Sequence, residues 1–224
     1  MMNIKMQGQA QTRWDLFLLL SLLLVIVIYP VLDHGELRRL VLGVLFFVPV
    51  ILATVRMSQM KVWVWPSVLL MSGAFIFAVV STLFPNPALI GIQWGMLTLF
   101  FGVSVIALFS YLKNAHSVLN AHLYTAVSIY LLLGMLWFAL YTAIEAFYPG
   151  SFLRSSSLVI DRQSELLYFS LITLSTIGYG DIVPLYSEVR ILAALEGVTG
   201  VLYVAITVAL LVSAYGQKST PGQE

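Results

Sequence analysis

Cysteine is absent from all 224 residues, which excludes a disulfide framework, a thiol nucleophile and a thiolate metal site. Charge is scarce as well. Asp, Glu, Lys and Arg make up 9% of the chain, where a soluble domain carries about a quarter. Hydrophobic residues make up 60%, so a water-soluble fold would leave far too much apolar surface uncovered. The solvent to assume is the lipid bilayer. A net charge of +1 offers no electrostatic footprint for nucleic acid. The three histidines, at 34, 116 and 122, form no HExxH or similar ligand pattern.

Uncharged apolar runs then set the organisation, since a membrane-spanning helix needs about 20 residues. Leu16 to Leu32 and Leu40 to Val55 are two short runs, helped across by interfacial Trp14 and snorkelling arginines. The long uncharged stretch between Lys61 and Lys113 is split by Pro85-Asn86-Pro87, because proline lacks a donor and restricts its predecessor. It predicts helices over Val62–Phe84 and Ala88–Leu112. A fifth helix is expected over Leu119–Phe147, with Glu145 at the interface, and a sixth over Ser187–Tyr215. The first run has Lys5 and Arg13 ahead of it but no small-x-small cleavage site around Tyr29-Pro30-Val31-Leu32, so it reads as a retained helix and not a signal peptide. With the N-terminus in the cytoplasm, Lys5, Arg13, Arg56, Lys61, Lys113 and Lys218 lie inside and Arg38, Arg39, Arg154, Arg162 and Arg190 outside, a small positive-inside excess.

Between the fifth and sixth helices the pattern changes. Ser151 to Ser164 is polar and predicts a solvated loop. Glu165 to Thr176 is apolar but about twelve residues long, too short to span and suited to a re-entrant or buried helix. It runs into Thr173-Leu174-Ser175-Thr176-Ile177-Gly178-Tyr179-Gly180-Asp181. Non-helical backbone at membrane depth is tolerated only where it is buried or lines a wet path. A dehydrated potassium ion needs oxygens in place of its water shell, and backbone carbonyls supply them if successive ones face one side. An extended strand alternates them, so some residues must turn left-handed, which glycine does without steric cost. Gly178 and Gly180 are placed for this. Thr176 adds a hydroxyl, Tyr179 braces the strand with its ring packed and its hydroxyl bonded, and the preceding helix aims its negative end at a central cavity.

Residues from about 122 to 215 resemble the pore module of the tetrameric potassium channels, through Thr176-Ile177-Gly178-Tyr179-Gly180-Asp181 and Pro184. The apolar runs predict an all-α membrane protein with six transmembrane helices, and the resemblance, which covers the pore module well and the first four helices only in number, implies a re-entrant pore helix and filter loop between helices five and six. It implies ion sites lined by the carbonyls of Thr176, Ile177, Gly178 and Tyr179 with the Thr176 hydroxyl, closed by Gly180. It places Asp181, Tyr168 and Phe169 around the filter, a flexible glycine at Gly200, and Val201, Val204, Val208 and Val212 along the cavity and inner gate. Ile172 departs from the glutamate that some members carry beside the filter. Glu196 is unusual within the sixth helix. A carboxylate at that depth is expensive and usually functional, so it reads as filter support, protonated or hydrogen-bonded behind the filter, unless it lies near enough the outer surface to reach water.

The division expected is a four-helix membrane domain over 1–115, a pore module over 116–216 and a polar cytoplasmic tail over 217–224. The fourth helix carries no arginine or lysine across Leu89–Leu112, so it lacks the charges from which a voltage sensor draws about 2.3 kcal/mol per charge per 100 mV. The nine residues after Tyr215 hold no ligand-sensing domain. His116 and His122 fall in the link between helices four and five, as interfacial residues or proton sensors. Each chain carries one filter motif, so four copies would complete the ring. The reading is a homotetrameric potassium channel with no enzyme activity and no cofactor, whose ligands are the permeant potassium ions and membrane lipid. A prokaryotic inner membrane with both termini cytoplasmic fits the short loops. The alternatives are a weakly selective cation channel of the same fold, a non-conducting accessory subunit, and an intramembrane enzyme, for which Glu196 lacks a catalytic partner.

Overall fold

The computed structural model describes residues 2–29, 46–55, 61–113, 120–154 and 162–216. Helix α1 covers Met2–Ile28, α2 Phe46–Val55, α3 Lys61–Leu83, α4 Pro87–Lys113, α5 Asn120–Phe147, α6 Arg162–Leu174 and α7 Ser187–Gly216. Two short strands, β1 at Phe152–Arg154 and β2 at Ile182–Pro184, flank α6 and the segment that follows it.

Four helices among the described residues are long and apolar enough to cross a membrane: Val64–Leu83, Pro87–Lys113, Ala121–Phe147 and Ser187–Ser213. The chain is thus a largely helical membrane protein. Of the two shorter spans expected from sequence, the first falls on α1, whose helix begins well upstream of Leu16. The second is helical over its Phe46–Val55 part, and its start at 40–45 lies outside the described residues.

The break between α3 and α4 follows from local chemistry. Asn86 caps α4, its Oδ1 accepting the Ala88 amide at 2.9 Å and its carbonyl accepting the Ile90 amide at 3.1 Å. Pro87 fills the first helical position, where its missing N–H is not needed.

Helix α5 is the spine: α1, α4, α6 and α7 all pack against it. Trp94, Leu97, Phe101, Ser104 and Leu108 form a buried stripe on α4, spaced three and four apart on one face. Leu18, Leu22, Val25 and Tyr29 form the same kind of buried stripe on α1. Phe138 of α5 joins these elements, meeting Tyr29 at 5.9 Å, Phe46 at 6.3 Å and Trp94 at 5.0 Å between ring centroids, each edge to face. Tyr29 also reaches α6, its hydroxyl donating to Gln163 Oε1 at 2.7 Å. Helix α1 therefore braces α6 directly. By contrast, most of α7 between Ile191 and Val212 presents apolar side chains outward, among them Leu195, Val198, Leu202 and Val208.

Where it is described, at 151–154 and 162–164, the expected solvated loop is more ordered than its composition suggests. β1 and β2 pair antiparallel, with Phe152 opposite Pro184 and Arg154 opposite Ile182, and the Leu185 amide donates to the Ser151 carbonyl at 2.9 Å beyond them. Arg162, Ser164 and Glu165 belong to the first turn of α6, and Ser164 and Glu165 are buried. Their polarity is internal: it serves ion pairs and not solvation. His122 likewise lies inside α5 and not in a link; it is buried and stacked on Tyr111 with ring centroids 5.4 Å apart. His116 lies outside the described residues.

Candidate functional site

The site begins where α6 ends. The Ile177 amide donates to the Ile172 carbonyl at 2.9 Å and the Thr176 amide to Thr173 at 2.9 Å. This pair of reversed bonds is the Schellman closure of a helix carboxyl end. It demands a left-handed residue just past the cap, a place glycine usually takes. Here Thr176 occupies it with φ at 59°. A β-branched residue in that region is strained by about 1–2 kcal/mol, so the hydroxyl it brings has a reason to be there.

The left-handed conformation then recurs at every second residue, at Gly178 with φ 52° and Gly180 with φ 77°. Thr176 is the sole non-glycine residue with positive φ among the described residues. Inverting φ at alternate positions undoes the up-and-down alternation of a β-strand, which is the way a short backbone segment turns consecutive carbonyls to one side. Residues 175–181 form neither helix nor strand, and Thr176 to Gly180 are exposed on the single chain. Residues 176–180 include no carboxylate, so backbone and hydroxyl oxygens are the oxygen donors they offer.

Tyr168 and Asp181 are brought together, the phenol hydrogen-bonding the carboxylate across the loop. Phe169 turns the other way and is buried in a triangle with Tyr141 and Phe152, each pair 5.3 Å between centroids. This packs α6 against α5 and β1. The bracing expected of Tyr179 is not found within one chain: its side chain is 71% exposed.

Glu196 does not reach water. It is 0% exposed, with Oε2 accepting the Tyr141 hydroxyl at 2.6 Å and Oε1 lying 2.6 Å from Ser170 Oγ. Ser170 Oγ is also 2.9 Å from the Gly134 carbonyl. One α7 side chain thereby joins α5 to α6 directly behind the loop. Neither partner was named from sequence. A buried carboxyl group requires polar partners, but α5 and α6 offer many hydroxyl-bearing residues, so the sequence does not single out these two.

Gly200 has a packing reason for being glycine. A Cβ there would overlap the Leu174 carbonyl oxygen, so α7 crosses the end of α6 in direct backbone contact. α7 runs unbroken through this point, and it is bonded to α5 on both sides of it, through Glu196 and through the Tyr203 hydroxyl donating to the Ala126 carbonyl at 2.6 Å. Below the crossing an open recess is lined by Thr173, Thr176, Gly178, Gly197, Val198 and Val201. Val201 thus joins the loop residues, while Val204, Val208 and Val212 continue outward-facing down α7, about half to two-thirds exposed at 49%, 54% and 65%.

An ion network missed in the sequence secures the opposite end of α6. Arg162 donates from Nε and Nη2 to Glu145 Oε1 at 3.0 and 2.7 Å, and from Nη2 to the Phe152 carbonyl at 2.8 Å. Glu165 pairs with Arg154 and, at 3.4 Å, with Arg162. Glu145 also accepts the Gly150 and Ser151 amides at 3.0 Å each. Such charges are legible singly, but their pairing depends on how β1 returns across α6.

Residues 125–217 match the family model described as "Ion channel", a span that contains most of α5, all of β1, α6, the loop and β2, and α7. No curated protein and no solved structure matches the chain. The family match over this span and the apolar helices support an integral membrane protein with an ion-channel-like segment.

Proposed function

We propose that this chain is the subunit of a homotetrameric potassium-selective channel, with Thr176 to Gly180 as its selectivity filter. The observation that carries this reading is the left-handed backbone at Thr176, Gly178 and Gly180, in a segment that follows a helix too short to span. A row of carbonyls on one side, with the Thr176 hydroxyl at its inner end, is the oxygen lining that replaces the hydration shell of potassium. The carboxyl end of α6, whose partial charge is negative, opens on the recess at Thr173 and Thr176 and favours a cation there.

One such row makes a quarter of a cage, and four chains about an axis complete it. The faces that would meet in that assembly are the exposed ones, Ile177 and Tyr179 of the filter and the apolar flank of α7. Burying Tyr179 against a neighbouring subunit supplies the brace that one chain lacks. Helices α1 to α4 complete a six-span subunit over residues 1–115, held to the pore module of 116–216, with both termini in the cytoplasm of a prokaryotic inner membrane and lipid around it. Among residues 89–112 there is no basic residue, so conduction is not driven by a charged fourth helix. Gly200 serves close packing, and any bending of α7 there works against its two bonds to α5.

The subunit count and the ion preference are tested together by native mass measurement and thermal unfolding in detergent. A four-chain assembly whose unfolding temperature rises with potassium more than with sodium, by the mass action of a bound ion, supports the reading. A stable monomer or dimer, or equal stabilisation by both ions, overturns it, the latter favouring a weakly selective cation channel.

A further inference from the structure

Glu196 is buried, and among the described residues it is in no ion pair. Among the described residues its polar contacts are Tyr141 and Ser170 alone. The titratable groups facing it from α5 are the phenols of Tyr141 and Tyr130. The charged residues of α6, Arg162 and Glu165, are engaged at the far end of that helix with Glu145 and Arg154. On α7 the nearest charges in sequence are Arg190 and Glu188, in its first turn.

Counting hydrogens decides which form of Glu196 fits. Ser170 Oγ has one hydrogen but two oxygen neighbours, Glu196 Oε1 at 2.6 Å and the Gly134 carbonyl at 2.9 Å. The carbonyl cannot donate. If Glu196 is ionised it cannot donate either, and the two acceptors must share that single hydrogen in a weaker three-centre bond. A proton on Oε1 resolves this. Tyr141 donates to Oε2, Oε1–H donates to Ser170, and Ser170 donates to Gly134, so every contact becomes a hydrogen bond with one direction through the chain. The alternative leaves an unpaired carboxylate at membrane depth, which is strongly disfavoured.

We propose that Glu196 is a protonated carboxylic acid that positions the filter, tying α7 to α5 through Tyr141 and to α6 through Ser170. This rests on reading residues 176–180 as the filter. The tie sits where position has most effect. Gly197, the next residue, lies so close to the filter base that a Cβ would be 3.6 Å from the Thr173 carbonyl and 4.0 Å from Thr176 Cγ2, and one turn after Glu196 comes the Gly200–Leu174 crossing. A neutral acid gives two directional bonds there without placing a fixed negative charge beside the cation path.

Glu196→Gln separates this role from that of a carboxylate, because an amide can accept from Tyr141 and donate to Ser170 as the acid does. Infrared spectra of the purified tetramer at neutral pH should contain a protonated-carboxyl carbonyl band that disappears in Glu196→Gln and shifts in Ser170→Ala. In liposomes Glu196→Gln should keep potassium flux and its preference over sodium, while Glu196→Ala should lose the preference or fail to assemble. Absence of the band from the parent, or a Gln variant as impaired as the Ala variant, overturns the proposal. If the band is present but the parent protein passes potassium and sodium equally, the filter reading fails while the protonation of Glu196 stands.

Discussion

The carbonyl oxygen of Leu174 occupies the space that a side chain at Gly200 would need. The neighbour is backbone at the end of α6, so it cannot swing aside as a side chain would. Gly200→Ala should therefore separate α7 from α6 at a cost of about 1–3 kcal/mol. The unfolding temperature should fall, and potassium selectivity with it, because the displaced element leads into the segment proposed as the filter. A Gly200→Ala protein with parental stability would show that the crossing is looser than described.

Thr176 combines a strained backbone with a hydroxyl, and two substitutions separate them. Thr176→Gly should relieve strain of about 1 kcal/mol and leave the unfolding temperature unchanged or higher, yet reduce potassium flux. Thr176→Ala should reduce flux without that relief, and Thr176→Ser should retain it. Parental flux from the Gly or Ala variant would remove the hydroxyl from the account.

Arg162 holds Glu145, Glu165 and the Phe152 carbonyl at once. Its replacement by Ala leaves Glu145 and Glu165, only 15% and 6% exposed, without that cation. Breaking such a partly buried set should lower stability by about 2 kcal/mol. Arg162→Lys should recover little, since a point ammonium cannot serve the fork of acceptors that the guanidinium reaches. Thermal unfolding of the three proteins tests this, and full recovery by Lys would contradict it.

Tyr29 fastens α1 to α6 by one hydrogen bond to Gln163 and to α5 by its ring on Phe138. Tyr29→Phe should cost about 1 kcal/mol; Tyr29→Ala, which empties the ring site as well, about 3–5 kcal/mol. Equal effects would mean that the hydroxyl carries the whole link.

Much of the helix pattern was legible because its elements are bounded by strong local signals. Pro85-Asn86-Pro87 fixed the α3–α4 break to within a residue or two, and Pro149-Gly150 fixed the end of α5. The left-handed turns at Gly178 and Gly180 were legible because glycine announces such a backbone. Thr176 was not, since nothing in a threonine says that it will adopt a positive φ; the Schellman closure of α6 imposes it. The β1–β2 pair was missed because three-residue strands leave no periodicity, and what holds them is contact across the loop. Glu196 was conspicuous, but its burial and its bonds to Tyr141 and Ser170 join residues 26 and 55 positions away, a separation that no local pattern encodes. Gly200 was visible as a glycine, and its reason, the backbone of Leu174, was visible only in three dimensions.

The most direct test is ion flux through the purified protein in liposomes under matched potassium and sodium gradients, with Gly178→Asp as the control. Potassium-driven flux that exceeds sodium flux, is blocked by barium and vanishes in Gly178→Asp is the predicted result. Equal flux of the two cations, or potassium flux that survives Gly178→Asp, would contradict the assignment of Thr176 to Gly180 as the selectivity filter.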